Sequence, residues 1–200
     1  MPARRPRSKL RQGFAPLKTL GLIVLVSLGA FGAILVIRVI STRHASTSAP
    51  LASSLQVGSR APGFTLPRLG GGRAVSLATA HGEPVIVNFF ASWSPGSRQE
   101  LRAIASVALA AAGKVATIGV DTTETQPAAA KRMLAETGST YPVGVDPAGH
   151  LAAKYQITGV PVTFFLSASD KVEHVTFGRQ TTKTLSYWVA RLDARRTPSS

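Results

Sequence analysis

The stretch FFASWSPGSRQE, Phe89 to Glu100, decides how this chain is read. It closes a continuous apolar run, Pro84 to Ala91, of strand length and of the kind found in strands buried on both faces. Ser94 is a preferred helix N-cap, because its side-chain oxygen can accept from an unpaired N–H of the first turn. Pro95 suits the first helical position, where an N–H would have no intrahelical partner anyway, and Ser97 falls at the third. A helix is therefore expected over Pro95 to Ala112, with Leu101, Ile104, Ala105, Ala108 and Leu109 at helical spacing.

Outward from this strand and helix the pattern continues. Lys114 to Asp121 reads as a second buried strand and Gln126 to Thr137 as a helix with Ala130, Met133 and Leu134 inward. Pro161 to Ser167 and Lys171 to Gly178 are two strands joined by Ala-Ser-Asp, a hairpin signal. Thr182 to Leu192 closes the domain as a helix carrying Leu185, Trp188, Val189 and Leu192. Strands alternating with helices imply an α/β fold, a mixed sheet covered on both faces.

The 200 residues are 44% hydrophobic, enough for one packed core, and contain no cysteine. Disulfides, thiolate metal sites and cysteine nucleophiles are excluded at once. The net charge of +14 is unevenly placed: Arg4, Arg5, Arg7, Lys9, Arg11 and Lys18 precede the first apolar segment, whereas 15 Lys or Arg face 9 acids from Val57 onward. The latter are scattered and form no nucleic-acid-binding signature.

Thr19 to Ile37 is 19 residues without a charge, long enough at about 1.5 Å per residue to cross the hydrocarbon core. The excess of basic residues before it predicts a cytoplasmic N-terminus and an extracytoplasmic remainder. A cleaved secretory signal is the rival reading, since small residues follow in Arg43 to Ser54. The length of the apolar core and the intervening Arg38 and Arg43 favour an uncleaved signal-anchor. Gly29 and Ala33 have small-xxx-small spacing, a weak pattern for helix pairing. The expected organisation is a basic segment at 1–18, a transmembrane helix at 19–40, a Ser/Ala/Thr-rich linker at 41–56, a folded domain at 57–194 and a tail at 195–200.

Four segments in order carry a family resemblance: APGFTLP (Ala61 to Pro67), VNFFASWSPGSRQE (Val87 to Glu100), YPVGVDP (Tyr141 to Pro147) and GVPVTFFL (Gly159 to Leu166). Together they resemble the membrane-anchored, TlpA-like thiol-disulfide oxidoreductases of the thioredoxin-like, redoxin superfamily. The resemblance covers nearly the whole exported part and implies a thioredoxin-like fold. It also implies that Ser94 and Ser97 stand where that family carries the two cysteines of its W-C-x-x-C motif, and that Val160-Pro161 is its cis-proline step. The residue before that proline offers backbone N–H and C=O to an extended substrate segment, and Trp93 can add an amphipathic face beside it. The plainer role for Trp93 and Pro161 is to shape the core or its rim.

In the family the first cysteine reacts as a thiolate favoured by the helix N-terminus, and the second resolves the mixed disulfide. A hydroxyl has no such couple. Dithiol exchange and cysteine-based peroxidase chemistry are therefore expected to be lost. Ser94 would need a base and an orienting group to act as a nucleophile, yet none of His44, His81, His150 and His174 is spaced to stand beside it. The histidines show no metal-ligand spacing either, and no cofactor is expected. With Asn88 where thioredoxins carry a buried acid, and no carboxylate within Ser-Pro-Gly-Ser, no local proton shuttle is visible. Asp121, Glu124, Asp146 and Asp170 fall at strand ends or turns and read as solvated turn residues.

The resulting expectation is a binding or accessory module for an extracytoplasmic protein partner, in the setting of cytochrome c maturation or exported-thiol reduction that the resemblance implies. Trp93, Val160 and Pro161 are its candidate contact residues. One alternative is an enzyme that uses Ser94 to hold the thiolate of a small external thiol. The other is an inactivated dithiol reductase.

Overall fold

The computed structural model describes residues 55–80 and 82–196. The expected transmembrane helix, most of the linker, His44, His81 and the last four residues lie outside them. Among the described residues no helix is long and apolar enough to cross a membrane.

Five strands form the central sheet in the order β5-β4-β3-β6-β7. These are β3 (Val85–Phe90), β4 (Ala116–Thr122), β5 (Val143–Asp146), β6 (Val162–Leu166) and β7 (Val172–Phe177). Strands β3, β4 and β5 run parallel, and β6 and β7 join antiparallel. A small antiparallel pair, β1 (Thr65–Leu66) and β2 (Val75–Ser76), precedes them. The helices are α1 (Pro95–Ala110), α2 (Pro127–Thr137), the single-turn α3 (His150–Lys154) and α4 (Thr182–Arg196). This is the thioredoxin-like α/β arrangement.

Alternation along β3 sorts its side chains between two layers. Val85, Val87 and Phe89 pack with Val162, Phe164, Leu166 and Tyr155 on one face, where the Phe89, Phe164 and Tyr155 rings meet at tilted or edge angles. Ile86 faces the other way, against Ile104 and Val107 of α1, Leu185, Val189 and Leu192 of α4, and Phe165. Both faces of β3 are buried because helices cover the sheet on each side, which is why its sequence reads as one apolar run.

The inward stripe of α1 differs from the expected one. Ser97, Glu100, Leu101, Ile104 and Val107 are buried, whereas Leu109 is 80% exposed. The buried set follows i, i+3, i+4, i+7 from Ser97; Leu109 lies five positions past Ile104, on the solvent side. Helix α2 ends where Gly138 adopts a left-handed φ of 72°, with Ser139 N–H bonded to the Leu134 carbonyl at 3.0 Å, a glycine-based C-cap.

The segment after β1 covers the edge of β5, through Val145 N–H to the Pro67 carbonyl and Leu69 N–H to the Val143 carbonyl, both at 2.9 Å. Gly144 permits this approach, since a Cβ there would lie 2.8 Å from that of Leu66. An edge that would otherwise offer unpaired backbone groups is thereby closed.

Candidate functional site

The turn from β3 into α1 faces the loop that precedes β6. Ser94 is the N-cap of α1: its Oγ accepts from Ser97 N–H at 3.3 Å, as the sequence predicts, and donates to the Val160 carbonyl at 3.2 Å. Ser97 is buried and its Oγ accepts from Ala91 N–H at 3.4 Å. The Val160-Pro161 peptide bond is cis. Gly96 lets the helix start approach that loop, since a Cβ on it would lie 3.2 Å from Pro161 Cδ. Ser94, Ser97, Val160 and Pro161 are thus brought together.

Trp93 stands at the rim, 59% exposed, its indole N–H reaching the Thr123 carbonyl at 3.3 Å. It does not shape the core. On the other side of the cis-proline a groove of about 200 Å³ runs along Gly159, Val160 and Pro161 to the exposed Phe177. The sequence alone places Phe177 in a strand and marks it for no site.

Among the described residues no base touches either serine: their hydroxyls bond to backbone groups. An activated serine nucleophile needs the opposite arrangement. Among the described residues no three His, Asp or Glu side chains gather as metal ligands.

The layer behind the serines corrects the expectation that no local proton shuttle is visible, through a carboxylate that lies outside Ser-Pro-Gly-Ser. Glu100 is fully buried one helical turn beyond Ser97. Its carboxylate accepts from Asn88 Nδ2 at 3.2 Å and from Thr163 Oγ1 at 3.2 Å, and Asn88 Nδ2 also reaches Thr163 Oγ1 at 2.9 Å. Asn88 and Thr163 are cross-strand partners, which fixes the donating end of this triad. Burial pushes the Glu100 pKa up to about 7, partly offset by its hydrogen bonds from Thr163, Asn88 and the Gln180 backbone. A proton-holding group therefore lies beneath the turn. Helical spacing from Ser97 and Leu101 carried the signal.

Three of the four acids read as solvated turn residues are buried. Asp146 caps α3, accepting from Leu151 and Ala152 N–H at 3.1 and 3.0 Å and from Thr122 Oγ1 at 3.0 Å. Glu124 accepts from Ser92 N–H at 2.9 Å and Gln126 N–H at 2.7 Å, which ties the loop after β4 to the turn before Ser94. Burial opposes its charge, but these hydrogen bonds outweigh burial and hold the Glu124 carboxyl below its ordinary range. Asp121 is buried with no hydrogen-bond partner among the described residues. Asp170 is half-buried and pairs with Arg60 at 3.3 Å.

A capped helix start facing a cis-proline loop, on a five-stranded mixed sheet, defines a thioredoxin-like protein with serine at both positions of the turn. The chain belongs to the AhpC/TSA family, which it matches over residues 57–175. It is 31% identical over 133 residues, 66% of this chain and 77% of the relative, to the thioredoxin-like protein YneN of Bacillus subtilis (strain 168). It is 26% identical over 110 residues, 54% of this chain and 67% of the relative, to the sporulation thiol-disulfide oxidoreductase A of the same organism. The crystal structure of a putative thiol:disulfide interchange protein DsbE from Chlorobium tepidum superimposes with a TM-score of 0.63 at 26% identity, covering 70% of this chain and 99% of that one. Thiol-disulfide oxidoreductases are thus among its homologues, and this chain has no cysteine.

Proposed function

We propose that this chain is a membrane-anchored, extracytoplasmic thioredoxin-like module that grips an extended segment of a protein partner across Trp93, Val160 and Pro161 without exchanging disulfides. The observation that carries this reading is the bonding of Ser94. Its hydroxyl is taken up between Ser97 N–H and the Val160 carbonyl, where it starts a helix and braces a loop. With oxygen in place of sulfur, no disulfide can form at the turn and no electron pair can pass to a substrate disulfide. The exposed Trp93 and Phe177 flank the cis-proline loop, and such aromatic surfaces suit peptide contacts.

The anchor rests on the uncharged run Thr19 to Ile37 and the six basic residues before it. The kinship with thiol-disulfide oxidoreductases supports a partner that itself handles thiols, as in cytochrome c maturation. The alternative in which Ser94 holds an external thiolate is weaker, because the hydroxyl proton is already directed at Val160.

The test places a photocrosslinking residue at Trp93 in the full chain in its native membrane, with a second at the exposed Leu109 as control. Recovery of a defined protein from position 93 and not from 109 is expected. Equal labelling from both positions, or disulfide reduction by the wild-type chain, would overturn the reading.

A further inference from the structure

A cavity of about 220 Å³ opens between the ends of β4 and β5, the start of α2 and the loop after β1. Asp121 lines it at 1% exposure, and neither of its carboxylate oxygens has a hydrogen-bond partner among the described residues. The neighbouring buried acids differ: Glu124 and Asp146 are each satisfied by N–H groups. A buried polar group without a partner is costly, and native structures leave few of them. Asp121 therefore has a bonding capacity that the fold itself does not use.

The rest of the cavity is divided by chemistry. Leu69 and Val145 give it apolar walls. Arg68 and Lys131 also line it, both exposed and neither in an ion pair among the described residues. Gly70, with a φ of 94°, brings the loop against Lys131, whose Cε would lie 3.7 Å from a Cβ at that position. Two acids, Asp121 and the hydrogen-bonded Glu124, and two cations at the rim disfavour a simple cation and a simple anion alike. A molecule carrying both charges on one carbon satisfies both ends. A cavity of about 220 Å³ has room for a small organic molecule.

We propose that this cavity is a binding site for a small aliphatic α-amino acid, its ammonium group on Asp121, its side chain against Leu69 and Val145, and its carboxylate toward Arg68 and Lys131. The cavity shares Glu124 with the turn before Ser94, where it accepts from Ser92 N–H, but the inference does not depend on the proposed partner-binding role. Burial, with the charge of Glu124 adding to it, pushes the Asp121 pKa up to about 7. A bound ammonium acts in the opposite sense, favouring the carboxylate.

The test titrates the full chain in detergent with L-valine, and separately with isobutylamine and isovalerate, which keep only one of its charges. Binding is followed by calorimetry and by the carboxyl ¹³C resonance of Asp121. Saturable L-valine binding is expected, at least tenfold tighter than either analogue, with the Asp121 titration moved to lower pH. Asp121→Asn should weaken it at least tenfold. The exposed double change Arg68→Gln with Lys131→Gln, which leaves the core untouched, should do the same and bring L-valine close to isobutylamine. Three results would each overturn the site: no L-valine binding at millimolar concentration, isobutylamine binding as tightly as L-valine, or binding unchanged in the folded variants. A rise of the Asp121 pKa in ligand-free Lys131→Gln, without valine binding to the wild type, would show instead that Lys131 itself serves Asp121.

Discussion

Ser94 Oγ joins two parts of the fold that are 66 residues apart, accepting from Ser97 N–H and donating to the carbonyl of Val160 at 3.2 Å. The helix start and the cis-proline loop are therefore held together by one hydroxyl. This link has the form of a structural brace, since both partners are backbone groups and neither can take its proton.

Removing that hydroxyl should cost stability in two ways. Ser94→Ala deletes an N-cap, about 1 kcal/mol, and one further hydrogen bond, about 1 kcal/mol net. A loss of roughly 2 kcal/mol is expected in urea unfolding, with an unchanged m-value. A loss of only about 1 kcal/mol, the cap alone, would mean that the bond to Val160 carries no weight.

Glu100 should make the chain less stable as pH rises toward neutrality. Folding raises its pKa from 4.5 to about 7, so the folded chain holds the proton more tightly than the unfolded one. Its contribution is fully present below about pH 4.5 and is lost as pH climbs through 7. Asp121, raised from 3.8 to about 7, acts in the same direction. Within that window one such group changes stability by at most about 1.4 kcal/mol per pH unit. Glu100→Gln, which keeps the shape and removes the titration, should flatten the urea midpoint between pH 5 and 7. An unaltered slope would remove Glu100 as its source.

The strand, turn and helix from Pro84 onward were legible because each choice is local: an apolar run, a serine cap, a proline at the first helical position. The hairpin of β6 and β7 and the closing helix were legible for the same reason. Glu100 was readable but missed, since its spacing from Ser97 and Leu101 places it on the inward face while its neighbours Arg98 and Gln99 read as solvent. Asp121 was not readable. Asp121 is flanked by Phe90 of β3 and Val145 of β5, a contact between segments far apart in the chain that no local pattern announces. Phe177 likewise acquires its place in the groove only when β7 pairs with β6.

The two candidate stripes of α1 can be separated by substitution. Val107, buried against the sheet with Ile104, should cost about 1 to 3 kcal/mol when cut to Ala, the lost transfer energy plus the cavity left behind. Leu109→Lys, on the solvent side, should stay within about 0.5 kcal/mol of wild type. Thermal or urea unfolding of the two variants side by side measures this. A costly Leu109→Lys beside a neutral Val107→Ala would place the inward face on the other stripe.

Restoring sulfur tests whether the rest of the turn still suits redox chemistry. In Ser94→Cys with Ser97→Cys, the first thiol would sit at the N-cap of α1, with Ser97's backbone N–H directed at it and the helix dipole favouring its thiolate. The attacking thiolate would form a mixed disulfide with a substrate disulfide. The second thiol would then release the reduced substrate and leave the variant oxidised by two electrons. Glu100, able to hold a proton near neutral pH, lies behind the second position. The expected result is an alkylation pKa at position 94 below the ordinary 8.5 or so of a free thiol, with disulfide reduction absent from wild type. A folded double variant that forms its own disulfide yet reduces no substrate would locate the defect outside the turn, in the groove at Val160 and Phe177. One that forms no disulfide would show that the turn has lost the geometry for sulfur as well as the sulfur.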